Sequence, residues 1–290
     1  MSQLVLNKFT EKKTASMLAT EAGRQALGAQ MGILVQKQLA EIGIARKFLE
    51  VDTLKCGEIA RYDKDGNSMA AAATDSNGDF ISRIAGEYVE PCIFDVVVPS
   101  SVRIVDIRQK RFKVLDRMQE KIGLTLAKVE DSNFLALLEG ILSVSQIADP
   151  SRLVRSNRGI SKNFLLELCQ KVTDRDLPAY AFLMNFKTYE KIDKLSEKEH
   201  ACEDGYGVAV MPTNVANDFG MEIFAHRLVP DNTVYALSEP RFNGVIPVRM
   251  AADVIPNPVP DKPVIGFMGY ENIGMVLINS DSVAKGIFTE

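Results

Sequence analysis

The sequence predicts an α+β protein organised around one very long helix, and three observations predict it. From about Ile104 to Ser145 apolar residues recur at three-and-four spacing with no proline between them. The second half of the chain alternates short apolar runs with turn residues, as small sheets do. Between residues 50 and 98 two strand-like stretches flank a tip of alanine, glycine and asparagine that has almost nothing to bury.

In the long helix Ile104, Ile107, Val114, Leu115, Met118, Ile122, Leu126 and Val129, then Phe134, Leu137, Leu138, Ile141 and Leu142, fall on one side. A continuous helix of about 40 residues would be about 60 Å long, more than a domain of this size needs for its own core. The opposite face carries Arg108, Lys110, Arg111, Lys113, Arg117, Glu120, Lys121 and Lys128, so it is solvated or paired with another chain. Asp131 and Ser132 both favour caps and turns, which leaves an ordinary helix pair as the alternative.

Taken in order, residues 1 to 15 are polar and read as a mobile tail. From Ser16 to Leu49 alanines are interleaved with Gly23, Gly28 and Gly32. Each glycine costs a helix about 1 kcal/mol relative to alanine, so this segment needs another surface. It reads either as an amphipathic helix or as an arm ordered on a neighbour. KCGEIARYD at 55 to 63 alternates like a half-exposed strand and leads into KDGN; FISRIAGEYVEPCIFDVVVPSSVRIVDI reads as one long strand or two in series. Such a hairpin is marginal alone. Ser161 is placed to cap a helix over 163 to 176, LPAYAFLMNF at 177 to 186 is a short buried strand, and another helix starts at KTYEKI. Further short strands follow at 205–215, 221–230 and 233–240. The last part holds PNPVPDKP, four prolines in eight residues, which reads as a stiff loop between two strands.

Composition excludes several classes. The chain has 290 residues, an apolar share of 46% and a net charge of -4, so it is globular with no general attraction to nucleic acid. Lacking tryptophan, it has little with which to build a base-stacking platform. No apolar run is long enough to span a bilayer and the first residues lack the apolar core of a signal peptide, so a soluble protein made in the cytoplasm is expected. Cys56, Cys92, Cys169 and Cys202 form no C-x-x-C pair, and His200 and His226 stand in different elements, so neither a metal site nor a cofactor is expected. DKDGN at 63 to 67 resembles a calcium loop but places its glycine too early and lacks the closing glutamate. No nucleotide-binding or nucleophile-elbow motif stands in the chain, and no catalytic residue is assigned.

Several short stretches together resemble the major capsid proteins of tailed bacteriophages, the Hong Kong type shell fold. NFLLELCQKV followed by LPAYAFLMNFKTYEKI resembles that family's helix, strand ending in Met-Asn, and helix. GYGVAVMP and LVPDNTVYALSEP resemble its pair of strands and turn, with Asn232 where glycine is common. GMVLINSDSVAKG resembles the last strand, with Ser282-Val283-Ala284 in place of a proline-alanine step. The resemblance implies an N-terminal arm at 1–48, an extended E-loop at 49–98, a peripheral domain with the spine helix at 99–149, an axial domain at 150–237, and peripheral terminal strands and loop at 238–290. It implies a non-enzymatic shell subunit of the virion that meets itself in hexamers and pentamers around double-stranded DNA. Portal and, in some members, scaffolding or decoration proteins would be its other partners.

Contacts between subunits are then expected at the E-loop tip, Lys64, Asp65, Gly66 and Asn67, and at the peripheral loop, Asn257, Pro258, Asp261 and Lys262. Some members of the family join an E-loop lysine to an asparagine of a neighbour's peripheral loop with the help of a buried glutamate, and Lys64 and Asn257 have the residue types. An encapsulin-type nanocompartment shares the fold, and a soluble α+β enzyme with an unrecognised cofactor is the reading from another class.

Overall fold

The computed structural model describes residues 17–64, 88–108, 113–148, 152–157, 159–192, 221–259 and 262–289. The expected tail at 1–15, the hairpin tip and the strand at 205–215 lie outside them.

Helix α1 (Glu21–Ile42) is capped by Thr20, whose hydroxyl accepts from the Gly23 N–H, and a short helix α2 (Ala45–Phe48) follows. Strand β1 (Glu50–Thr53) leads to the hairpin strands β2 (Tyr62–Asp63) and β3 (Tyr88–Val89). Then come β4 (Phe94–Arg103), α3 (Ile104–Arg108) and the long helix α4 (Lys113–Ala148). Next come β5 (Leu153–Ser156), α5 (Lys162–Thr173), β6 (Ala179–Met184), α6 (186–192), β7 (Glu222–Ala225) and β8 (Thr233–Ser238). The chain closes through α7 (Pro240–Asn243), β9 (Gly244–Asn257), β10 (Val264–Ile273), β11 (Val276–Leu277) and β12 (Val283–Phe288).

α4 runs 36 residues, about 54 Å, and passes through Asp131 and Ser132 without a break. It is long because it serves two sheets. The first has the order β1-β9-β10-β4 with β11 beside β9; the second has β5-β12-β8-β6-β7. Ile122 and Leu126 of α4 lie over Gly269 of β10. Further along, Glu139 accepts from Lys285 Nζ of β12, at 2.7 Å to each carboxylate oxygen, and from the Tyr235 hydroxyl of β8. Leu115, Met118, Ile122, Leu126, Phe134, Leu138 and Leu142, all expected on one face, are buried in the larger core.

Every residue of β8 is buried, because its two faces meet different layers. Val234 and Ala236 point to the core beneath α5, while Tyr235 and Leu237 join the core shared with α4. Ser161 caps α5, its hydroxyl accepting from the Phe164 N–H. Asn232, standing where the resemblance calls for glycine, has a φ of 59°, a left-handed turn that asparagine tolerates.

Two boundaries differ from expectation. The last strand, β12, pairs with β5 and β8 of the second sheet, not with the sheet containing β10. Its side chains, Val283, Ala284 and Phe288, are buried on both faces, which only the inner position between β5 and β8 provides. Residues 21–48, expected within an arm, pack on the subunit's own first sheet. The glycines that argued against a stable helix are what allow this: a Cβ on Gly28 would lie 2.2 Å from the Val254 carbonyl oxygen, and one on Gly32 2.4 Å from Asp253 Oδ1. Gly28→Ala is therefore expected to destabilise by about 1–3 kcal/mol through overpacking, despite a helix-propensity gain of about 1 kcal/mol. Urea denaturation reads the sign directly.

The prolines are also placed by pairing. Pro256 lies within β9 opposite Phe267 of β10, a strand position the sequence excluded. It fits because β1 covers the other side of β9 only at Val245–Val248, leaving the edge at Pro256 without a strand partner among the described residues.

Candidate assembly surfaces

The hairpin root leaves the first sheet beside Val248, whose carbonyl accepts from the Leu54 N–H at 2.9 Å. A tight turn follows, with Gly57 at φ 82° and the Lys55 N–H donating to Glu58 Oε2. β2 and β3 then pair Tyr62 with Val89 and Asp63 with Tyr88. Arg61 donates from Nε and Nη2 to Glu90 Oε1 at 2.9 and 2.6 Å and lies 4.1 Å from the centre of the Tyr88 ring. The Tyr62 hydroxyl donates to Asp52 Oδ2 at 2.6 Å, fastening the hairpin to β1.

All of these are surface contacts of small individual worth, about 0–1 kcal/mol each for the ion pair. Ile59 is 73% exposed and Tyr88 55%, so the root presents apolar side chains outward rather than inward. Lys64 stands at its far edge; Asp65, Gly66 and Asn67 lie outside the described residues.

At the other end of β9, Asn257 pairs with Gly266 and is half-buried, while Pro258 and Lys262 are exposed. Asp261 lies outside the described residues. An open cleft of about 470 Å³ separates this loop from the first turn of α1, lined on one side by Glu21, Arg24 and Gln25 and on the other by Pro258, Val259 and Lys262. Nine residues of β9 separate Val248 from Asn257, about 30 Å of strand. The start of the hairpin root and the peripheral loop therefore leave β9 at well-separated points.

A cluster of buried charges, which sequence reasoning missed, sits where α1 turns into α2. Arg46 grips Glu130 of α4 with Nη2 2.5 Å from Oε1 and Nε 2.9 Å from Oε2, and the same Nη2 lies 3.7 Å from Glu271 Oε2 on β10. Both glutamates are fully buried. Next to them the N–H groups of Ile44 and Ala45 donate to Asp131 Oδ1 at 2.8 and 3.0 Å. Asp131 thus caps α2 from 86 residues away, which explains a cap-forming residue in the middle of α4. His226 Nε2 lies 3.6 Å from its other oxygen.

Burial raises the Asp131 carboxyl, with the two N–H donors and His226 opposing; burial also lowers His226, with Asp131 opposing. Asp131→Ala is expected to cost about 2 kcal/mol, since it removes a cap and leaves two buried donors unpaired. Chemical denaturation would measure it. The signal available in the sequence was only that neither of the two adjacent acids has a basic residue four positions away.

Among the described residues no group of three or more His, Cys, Asp or Glu side chains is placed to hold a metal ion. Cys169 is half-buried 3.0 Å from Met221 Sδ, its thiol pushed up to about 11 by burial, while Cys56 and Cys92 are exposed free thiols. No described helix is long and apolar enough to cross a membrane. Glu271 lies five residues along β10 from Gly266, the partner of Asn257. That is about 17 Å, so Glu271 and Asn257 of one chain do not converge.

No protein-family model matches the sequence, and no curated protein matches it. Solved structures do. A protein of Microbacterium phage Oxtober96 is 12% identical with a TM-score of 0.63, over 85% of this chain and 90% of that one. The capsid of an empty GTA particle is 14% identical with a TM-score of 0.62, over 84% and 89%. A virus-like particle from Pyrococcus furiosus is 18% identical with a TM-score of 0.58, over 88% and 98%. From spine helix to terminal strand, this chain has the Hong Kong type capsid fold.

Proposed function

We propose that this chain is a major capsid protein, the repeating subunit of an icosahedral shell that encloses the double-stranded DNA of a tailed phage. The observation that carries the reading is that structures from phage and capsid particles match 84–85% of the chain and not one part of it. The hairpin supports it physically. Its root is held by few contacts and faces apolar side chains to solvent, as a segment does that gains its stability on another copy. Two separate surfaces, the hairpin root and the peripheral loop, suit head-to-tail association, which closes into rings when the rotation allows; hexamers and pentamers are the proposed rings.

In this reading β5–β8 and α5 with β12 form the axial unit, and α4 with the first sheet forms the peripheral unit. Lys64 to Asn67 and the loop from Asn257 to Lys262 are the proposed contact groups. No catalytic step is assigned to any residue. A net charge of -4 is compatible with a DNA container, because packaged DNA brings its own counterions. Portal, scaffolding and decoration proteins belong to the same proposal.

A second reading, a compartment enclosing cargo protein, is favoured by the likeness to the Pyrococcus furiosus particle. Electron microscopy of the purified product, with its nucleic acid and protein content assayed, separates the readings. Closed particles that package DNA when expressed with the other phage components support the first; particles filled with a folded second protein support the compartment. A stable monomer at high concentration would overturn both.

A further inference from the structure

The open cleft between α1 and the peripheral loop has the same chemistry along both walls. Ile255, Pro256, Val259, Val264 and Ile265 are all half-buried and make it apolar, with charge confined to Glu21, Arg24 and Lys262 among its described residues. Its volume of about 470 Å³ is within the range that holds a ligand of several apolar groups, about 300–1,000 Å³. Pro256, near the end of β9, and Pro258, just beyond it, have no N–H to offer an added strand. An occupant is therefore held by its side chains and not by strand pairing.

The chain enters α1 beside this cleft. Met17 lies across the first turn of the helix, so close that a Cβ on Gly23 would stand 2.2 Å from the Met17 carbonyl oxygen. The next residue, Arg24, lines the cleft with Glu21 and Gln25. What precedes Met17 thus starts within one helix diameter of the cleft, about 10–12 Å. In that stretch Leu4, Val5, Leu6 and Phe9 are the large apolar side chains after Met1, and TEKKTAS, seven residues with nothing larger than alanine to bury, joins them to Met17. Seven extended residues reach at most about 25 Å, enough to pass around the first turn of α1. Lys8 is the one charge between Leu4 and Phe9, and Glu21 is the one acid among the described residues that line the cleft. A tether this short holds the segment at an effective concentration on the order of millimolar, so its own cleft is favoured over that of a second copy at micromolar protein.

We propose that the segment from Leu4 to Phe9 seats in the cleft of its own chain, with its apolar side chains on Ile255, Val259 and Ile265 and its lysine toward Glu21. Seated there it covers Pro258, Val259 and Lys262, part of the proposed contact loop, and a neighbouring subunit reaches that loop only after the segment leaves. The docking is a property of one chain; its use as a brake on association rests on the shell reading.

The chain has no tryptophan, so Phe9→Trp in the full chain supplies a single fluorescent reporter. Its emission should be blue-shifted, and its quenching by acrylamide about threefold slower than in a synthetic peptide of residues 1–16 carrying the same substitution, alike from about 1 to 100 μM protein. Adding Leu6→Asp or Val259→Asp should bring quenching up to the peptide's value while circular dichroism stays that of the parent. Peptide-like quenching at every concentration, or protection that survives the second substitution, would overturn the docking. Protection gained only as concentration rises would assign the cleft to a second copy and overturn it as well. Should Val259→Asp not fold, Leu6→Asp decides. Leu6→Asp should also lower the protein concentration at which particles form. Protection as expected with particle formation unchanged would leave the docking and remove the brake; in a chain that forms no particles at all, the fluorescence still decides the docking and it is the shell reading that fails.

Discussion

Met118→Asp is expected to yield no soluble folded subunit. Met118 is 4% exposed at the centre of the α4 face that meets the first sheet, in one core with Leu115, Ile122 and Leu126. An aspartate there removes the packing of a large side chain, a loss of about 2–5 kcal/mol. It also buries an acid with no partner, at several kcal/mol more. Together these exceed most of the roughly 5–15 kcal/mol by which domains are stable. Met118→Leu, which conserves volume, should cost less than about 1.5 kcal/mol. Soluble yield and circular dichroism of the pair provide the comparison, and a soluble, helical Met118→Asp protein would mean that this face of α4 is not a core face.

The second large effect concerns assembly, with stability nearly untouched. Asp63 and Tyr88 are paired across the hairpin root, so residues 64–87 can be replaced by Asn-Gly, which closes a two-residue turn. The shortened chain should keep its helix content and unfold within a few degrees of the parent, because the root is held by exposed side-chain contacts and turns Ile59 and Tyr88 to solvent. Closed particles should be absent by electron microscopy. Regular particles from the shortened chain would remove the hairpin from any role in holding neighbours together, and a chain that fails to fold would make the excursion part of the subunit's own core.

Several elements were legible because the relevant information is local. The three-and-four spacing of Leu115, Met118, Ile122 and Leu126 records which side of α4 is buried, whatever it is buried against. Ser161 caps the helix that follows it within three residues. The apolar run of β8 likewise announces a strand covered on both faces. α1 was less legible, since Gly28 and Gly32 weaken a helix in isolation and strengthen it only against β9, more than two hundred residues away.

The candidate contact groups show the same division. The sequence could nominate Lys64 and the loop from Asn257 to Lys262 as exposed, but only the pairing of β1 with β9 shows where the hairpin root leaves the sheet relative to that loop. The buried charges were not nominated at all. Arg46, Glu130 and Glu271 come from three distant segments, each of them an unremarkable charged residue among its neighbours in the chain.

By itself the sequence determined the helices, most strands, the turn at Asn232 and the apolar faces, because side-chain period and backbone preference act over a few residues. Tertiary structure alone decided that β12 crosses into the second sheet, that α1 lies on its own subunit, and that Asp131 caps a helix it does not belong to. Those outcomes depend on which distant surfaces cover one another, and coverage is settled by the whole fold at once.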